Sequence, residues 1–500
     1  IKQKTGIKLI NKEASAFKKF IDSYSSVAGR LYSADLKYLY ESDFVVSVGT
    51  MITTDNPVVR FGINSAMKNN KAAGLYIHPV KDVVLSGFSK SLLSIANKVG
   101  SEEAVMLLLL DIFADRDKLP QKTKDYISSF YSKEIVTVKE SVKEKQLQKV
   151  VEKQKNENGE EVEVEIEKEV LVPVEKDVQK EISKNKLFEL SGISSSLLEQ
   201  LEKLLSKKEQ FTLILGEDLI NHPRSKNIAK LAGMIEKYSN FKVLIVPPKT
   251  NTLGVSLICD LDSEASGYTI GYNTKGDFTL TALGAKGENE LDMPALNQQE
   301  GTFTNIDKRV VPINAALGYE GYTLCDIANE LGIKAQYTID YTKQLPKEKG
   351  YKEVDFDSLE NHYTKSGEEK RGYLLETSQI IPSDEIEEIA DIAEYNGTVV
   401  YRCNPVLQFN QFTAKCSQLK EEQKLHGSAQ FAIAAKITDG ALVAIDTGRG
   451  ESVKRVFKID TKLKGTVALI DSFDDDVSAD KVLCGYRFKK SKIAVVGNSK

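Results

Sequence analysis

Two passages of the chain repeat one order of hydrophobic and polar positions. The first runs FVVSVG at 44–49, TMITTDNP, VVRFGINSAMKNN and GLYIHP at 74–79. The second, over 211–248, runs FTLILG, EDLINHP, RSKNIAKLAGMIEKYSN and FKVLIVPP. Each reads as an apolar strand closed by Gly, a loop, an amphipathic helix, and a second apolar strand closed by Pro. Runs with no polar face predict strands covered on both sides, and hence a parallel sheet with helices on its two faces. The near-repeat is open to two readings: two similar halves around one sheet, or two βαβ units alike only in their order.

Elsewhere the pattern changes with position. IKLINKEASAFKKF at 7–20 predicts a loop and then a helix capped by Asn11, with Ala14, Phe17 and Phe20 on one face. AVMLLLL at 104–110 ends at Asp111, far short of the ~18 apolar residues of a membrane span, and predicts a core helix. Residues 132–186 are heavily charged. Within them EEVEVEIEKEVLVPVEK alternates with period two after the turn signal NENG at 156–159. That predicts a charged β-hairpin insertion, the alternative being a disordered charged linker. Residues 338–374 are polar without a clear period and read as a linker or peripheral loop. The chain then turns β-rich, with TVVYR at 398–402, ALVAIDT at 441–447, VKRVFKI at 453–459 and TVALI at 466–470. Turns at Asp439-Gly440, Gly448-Arg449-Gly450 and Lys464-Gly465 separate them, as in a small barrel. The expected organisation is an α/β region of 1–131 and 187–337, the insertion at 132–186, a linker at 338–374 and a C-terminal β-barrel at 375–500.

Composition narrows the classes. Five hundred residues, 28% charged and 41% hydrophobic, suit a globular chain of about three domains. A net charge of -4 gives no basic footprint for nucleic acid. No signal peptide is expected, and a chain opening at Ile1 reads as part of something longer. Cys259, Cys325, Cys403, Cys416 and Cys484 are scattered, with no CxxC pair. Neither a disulfide framework nor a locally spaced zinc or iron–sulfur site is predicted, and such sparse usage fits a reducing cytoplasm. His78, His222, His362 and His426 are far apart and read as structural or exposed. There is no HExxH, P-loop or serine elbow.

The most specific wording is QEGTFTNIDKRVVPINAALGYEGYTLCDIANELG, from Gln299 to Gly332. Gly301 is expected in a loop, where freedom from a Cβ matters. Asn305 and Asp307 favour a turn, and Pro312 denies a helix its interior. Leu324, Ile327, Ala328 and Leu331 fall at helical spacing before Gly332 and predict a short buried helix. This stretch resembles a segment of the molybdopterin oxidoreductases. Glu300, Gly301, Thr302, Phe303, Thr304, Asn305, Arg309, Ile327, Ala328, Leu331 and Gly332 carry the match. Asn251 and Gly254 in PPKTNTLGVSL, the opening Leu9, Asn11, Lys12 and Glu13, and Asp439, Gly440, Val443, Gly450, Lys464, Gly465 and Val467 resemble the same family. Within it the wording is most similar to the large iron–sulfur subunits of the proton-pumping NADH-quinone oxidoreductase, complex I.

The resemblance implies an α/β fold of Rossmann-like parallel-sheet units followed by a small C-terminal β-barrel. It also implies a place for a cofactor. Ligands of open α/β sheets bind beyond the carboxyl ends of the strands, at helix N-termini. There the family holds molybdopterin guanine dinucleotide with molybdenum or tungsten. Were a pterin retained, Gly49, Asp55, Asn56, Pro57, His78, Gly216, Asn251, Gly254, Gly301, Thr302 and Asn305 would be its neighbours.

Three departures stand against it. Thr50 and Met51 follow Gly49, where the family has Gly-x-Asn-Pro. His78-Pro79-Val80 replaces Asp-Pro-Arg; a neutral imidazole accepts one hydrogen bond, and Val80 carries no charge. SYSSVAGRLYSADLKYLYESDF, before the first strand, offers Ser and Asp but no cysteine to a metal. The short passage GYTIGYNTKGDFTLTALGAKG also stands where members place a further βαβ segment, so one wall of the usual cleft is expected to be reduced. The resemblance therefore implies part of an oxidoreductase that keeps the fold with no catalytic residue, cofactor or metal of its own. It would be a scaffold in the peripheral arm of a respiratory chain complex, serving electron transport through iron–sulfur clusters in a missing N-terminal part. Its expected location is cytoplasmic, at the inner face of the cell membrane through partner subunits. The rival is a functional molybdopterin-dependent, formate dehydrogenase-like oxidoreductase.

Overall fold

Strand β1, Phe44–Val48, is buried at every residue and has a parallel neighbour on each side. A computed structural model of the chain describes residues 1–155, 159, 161–282, 284–285, 287–333, 342, 345–376, 380–403, 416, 418, 423–471 and 482–496. Strands β2 (Ala73–Ile77) and β3 (Leu92–Ile95) extend the sheet on one side of β1. The next two strands, β4 (Tyr131–Lys155) and β5 (Glu161–Asn185), pair only with each other among the described residues. Strands β6 (Phe211–Leu215) and β7 (Phe241–Ile245) then extend the first sheet on the other side. All five strands are parallel, in the order β3-β2-β1-β6-β7. The two near-repeated passages are thus halves of one sheet, and its strand order reverses between β1 and β6. Strands approach closely here: a Cβ on Gly74 would overlap the carbonyl oxygen of Val45.

Helices complete the core. The helix Glu102–Phe113, which holds the predicted apolar run, is buried from Glu102 through Asp111. The helix Ser225–Tyr238 packs on it and on Lys12–Ala28. In the helix Lys12–Ala28 the Asn11 side chain accepts the Ala14 N–H, as the sequence predicts, and Ala14, Phe17 and Phe20 are buried.

By its contacts the chain forms two compact units, Lys124–Lys186 and the remainder. The smaller unit is the expected hairpin. β4 and β5 pair antiparallel without interruption from Tyr131↔Asn185 to Lys155↔Glu161. Of the predicted turn, residues 156–158 lie outside the described residues.

After β7 the larger unit carries short strands. β8 (Ile270–Tyr272), β9 (Phe278–Ala282) and β10 (Glu290–Met293) form a small parallel sheet. β11 (Gly301–Thr304) and β12 (Arg309–Ile313) form an antiparallel hairpin. Here two expectations are corrected. Gly301 lies in a strand rather than a loop, and its backbone is not left-handed. The helix Leu324–Glu330 forms, with Thr323 and Asp326 capping it reciprocally, but it buries only Ala328. Leu324 is 39% and Leu331 44% exposed. Helical spacing predicts a stripe; burial also needs an element to cover it. The stretch read as a linker also holds structure: β13 (Asn361–Tyr363) pairs with β14 (Glu369–Arg371), and β15 (Tyr373–Leu374) joins β12. Residues 338–341, 343 and 344 of it lie outside the described residues.

Residues 380–398 lie against the helices without helix or strand structure of their own. Ser383 N–H donates to Ser26 O, Glu387 N–H to Asn227 Oδ1 and Ala390 N–H to Glu103 Oε2. The barrel therefore begins at β16 (Val399–Cys403), later than the expected 375. It continues through β17 (Lys424–Gly427), β18 (Leu442–Asp446), β19 (Ser452–Ile459), β20 (Val467–Asp471), β21 (Phe488–Lys490) and β22 (Lys492–Val495). The order is β21-β16-β20-β17-β19-β18-β22. Only Ser491 separates β21 from β22, yet they pair with opposite ends of the sheet. One strand bent at Ser491 thus serves both edges, and the sheet curls closed around Val400, Leu425, Phe431, Phe457 and Ile470.

Candidate functional site

The reversal of strand order between β1 and β6 directs attention to their carboxyl ends. Gly49 follows β1 with φ 74, in the left-handed region that favours glycine. Gly216 follows β6 and donates its N–H to Val48 O. The two loops then cross in contact. A Cβ on Gly49 would lie 2.6 Å from Leu219 side-chain carbons, and one on Gly216 would overlap Thr50 and the Gly49 carbonyl oxygen. Beyond them come the short helices Ile52–Asp55 and Glu217–Ile220, and Pro57 opens the longer helix Pro57–Asn69.

Into this place the barrel sends Arg487, the residue before β21. Its Nη1 lies 2.8 Å from Asp55 Oδ2, 3.1 Å from Asp218 Oδ1 and 3.6 Å from Glu217 Oε2. The Asp55 and Asp218 side chains are 0% exposed and those of Arg487 and Glu217 11%. Arg487 Nε also donates to Arg402 O. Tyr401 of β16 donates its hydroxyl to the Asp218 carboxylate, and its ring stacks on Phe488 with centroids 4.3 Å apart. His78, just past β2, sets Nε2 3.1 Å from Asp218 Oδ2 and accepts the Val80 N–H on Nδ1. Asn56 Nδ2 donates to Glu217 Oε1 at 2.9 Å, and the Thr50 hydroxyl lies 3.1 Å from Oε2.

Three carboxylates thus surround one guanidinium with little exposure to water. Burial, then the Asp55 charge, pushes the Glu217 carboxyl up to about 7. Burial works against the Arg487 charge, but the surrounding acids, Asp55 first, outweigh it and hold the group well above its ordinary range. Burial also raises the hydroxyls of Tyr76 and Tyr401 and the thiol of Cys403 well above theirs. A thiol and hydroxyls held protonated make poor nucleophiles. Through Arg487 and Tyr401 the cluster joins the barrel to the parallel sheet.

Of the predicted site residues, Gly49, Asp55, Asn56, Pro57, His78 and Gly216 meet at this locus. Asn251, Gly254, Thr302, Gly301 and Asn305 belong to a second one. Asn251, in the left-handed region at φ 66, accepts the Thr304 N–H on Oδ1 at 2.9 Å and so ties β11 to the helix Thr252–Ile258. A Cβ on Gly254 would overlap that oxygen. Asn305 Oδ1 accepts the N–H groups of Asp307 and Arg309 and shapes the β11–β12 turn. Thr302 is half-buried in β11, and a Cβ on Gly301 would meet nothing within 4 Å. Glu217, Asp218, Tyr401 and Arg487 were not among the predicted residues. The available signal was the pair Glu217-Asp218 directly after Gly216, at the end of an apolar strand.

A pterin dinucleotide would need these strand ends for its phosphates and its nucleoside. The residues present do not fit it. Both ring nitrogens of His78 are engaged inside the protein, Asp55 and Asp218 face Arg487, and Glu217 faces Asn56 and Thr50. Leu219 and Thr50 fill the space beside the glycines.

No family model and no curated protein sequence matches the chain. Among solved structures it is similar to acetylene hydratase from Pelobacter acetylenicus, with a TM-score of 0.54 at 8% identity, over 92% of this chain and 74% of that one. This likeness shows the fold, which is of the molybdopterin oxidoreductase type: a parallel α/β sheet and a curled C-terminal sheet.

Proposed function

We propose that this chain is the scaffolding part of the large peripheral-arm subunit of a respiratory NADH-quinone oxidoreductase. On this reading it supports electron transfer through iron–sulfur clusters carried by a further part of the subunit and has no active site of its own. One observation carries the reading. At the strand ends where the fold offers a ligand site, the barrel's own Arg487 is seated between Asp55 and Asp218. A side chain in that position replaces ligand charge with protein charge and joins barrel to sheet directly. The wording from Glu300 to Arg309, most similar to the large iron–sulfur subunits of complex I, supports the choice of complex. The partners proposed are the other subunits of a membrane-associated assembly. Among the described residues no helix is long and apolar enough to cross a membrane, so the proposed attachment to the membrane's inner face is through those subunits.

The test is elemental analysis with pterin fluorescence on protein made in a host that synthesises molybdopterin. Expected is molybdenum and tungsten far below one atom per chain, and no pterin. Near-stoichiometric metal would replace this reading with the rival, a working molybdopterin oxidoreductase. Co-purification of the other subunits with the full-length subunit tests the assignment to the complex.

A further inference from the structure

The cluster that joins barrel to sheet is unbalanced in charge. Asp55, Glu217 and Asp218 face Arg487, and none of the four side chains is more than 11% exposed. With every acid ionised the four sum to two negative charges, a costly state at so little exposure. One proton halves that charge. Geometry selects its position. Arg487 Nη1 lies 2.8 and 3.1 Å from Asp55 and Asp218 but 3.6 Å from Glu217. Asp218 is further held by Tyr401 and His78. Glu217 faces neutral partners, Asn56 Nδ2 and the Thr50 hydroxyl, and that hydroxyl oxygen is able to accept a bond from a protonated carboxyl. The remaining titratable groups at the cluster, Tyr76 and Cys403, are held protonated by burial.

On the reading that no cofactor lies between barrel and sheet, we propose that this cluster is an acid-set latch: the barrel closes on the sheet with one proton held on Glu217, so mildly acid conditions hold it shut and alkaline conditions loosen it. The closed form keeps the proton up to about pH 7, whereas an open, hydrated Glu217 loses it in the ordinary carboxylate range. Between those limits closure takes up a proton, so its stability falls as pH rises through the window and levels off above it.

Hydrogen exchange on the full chain at pH 6 and pH 8, corrected for intrinsic rates, tests the latch. The amides to follow are those of Val399–Cys403 and Phe488–Lys490. One linked proton predicts a roughly tenfold loss of their protection between these two values. Glu217→Gln, neutral and of the same shape, is expected to keep the pH 6 protection at both. Asp55→Asn, which removes a neighbouring charge, is expected to shift the transition to lower pH. Flat wild-type protection, or a Glu217→Gln profile that still falls tenfold, overturns the latch. A variant that fails to fold leaves the wild-type profile and the other substitution to decide. Metal analysis on the same preparations reports on the scaffold reading separately: molybdenum or tungsten with a tenfold transition would remove that reading and keep the linkage.

Discussion

Arg487 of the barrel lies 2.8 Å from Asp55 at the carboxyl end of the parallel sheet. The two residues come from opposite ends of the sequence; Asp55 stands among the candidate site residues, but no local pattern marks Arg487 as its partner. Together, with Asp218 and Glu217, they form a deeply buried ionic contact between the two sheets. Removing one member of such a group leaves its partners charged and unpaired. Arg487→Met is therefore expected to destabilise the chain by about 3–5 kcal/mol in urea unfolding at pH 8. Lys458→Ala breaks an exposed pair with Asp439 and is expected to cost under ~1 kcal/mol. Equal effects of the two substitutions would mean that the buried cluster contributes nothing special.

Gly216 offers a way to tell a scaffold glycine from a cofactor glycine. A glycine kept for a ligand tolerates alanine when the ligand is away. Here a Cβ would meet Thr50 and the Gly49 carbonyl oxygen. Gly216→Ala is thus expected to destabilise ligand-free protein by about 1–3 kcal/mol, the range for overpacking a filled site. Gly301→Ala serves as the contrast, since nothing lies within 4 Å of its Cβ position and its φ is not positive. It is expected to leave the melting temperature almost unchanged. Thermal unfolding of both variants decides, and a harmless Gly216→Ala would reopen the strand ends as a ligand cradle.

Much of the fold was legible because burial wrote itself into runs of residues. Phe44–Val48 and Phe211–Leu215 are buried throughout, and their lack of a polar face is what a covered parallel strand requires. Asn11 announced the helix Lys12–Ala28, and Gly440 and Gly465, both left-handed, the barrel turns. The candidate site was half legible. Gly49 and Gly216 stand out because strand ends attract ligands, Asp55 and His78 through the family resemblance, and the structure brings the four to one locus. What occupies the site was not legible, because Arg487 reaches it through tertiary structure that no local pattern records. Leu324 and Leu331 failed for a related reason: periodicity names a face and is silent on what packs against it.

The second locus makes its own prediction. Asn251 combines a left-handed backbone with a side-chain bond to Thr304 N–H, and Gly254 leaves room for that side chain. Asn251→Ala loses both the tolerated conformation and the acceptor. A cost of about 1–3 kcal/mol follows from the unsatisfied N–H and the strained backbone. Asn251→Gly keeps the backbone and loses only the bond, so it is expected to be the milder of the two. The reverse order in urea unfolding would show that the backbone conformation is unimportant there.

The β11–β12 turn holds an unusual lysine. Lys308 sits in the left-handed region at φ 62, is 7% exposed, and donates through Nζ to Ala34 O at 2.7 Å beside the Tyr32 ring. Burial outweighs the nearby carboxylates of Asp35, Asp307 and Glu236 and pushes the amine down to about 8. An amine lowered in the fold works against stability while it must be charged. Between about pH 8 and the ordinary lysine range the unfolded chain binds the extra proton, so folding gains stability as pH rises through that window. Lys308→Met keeps the volume and removes the titration. The stability of wild type relative to this variant is therefore expected to rise by about 1–2 kcal/mol between about pH 8 and pH 9.5. Comparing the pair cancels the tyrosines and other lysines that titrate nearby. A difference that stays constant with pH would show that the Lys308 amine is as well hydrated in the folded chain as in the unfolded one, and that its contact with Ala34 is made at the surface.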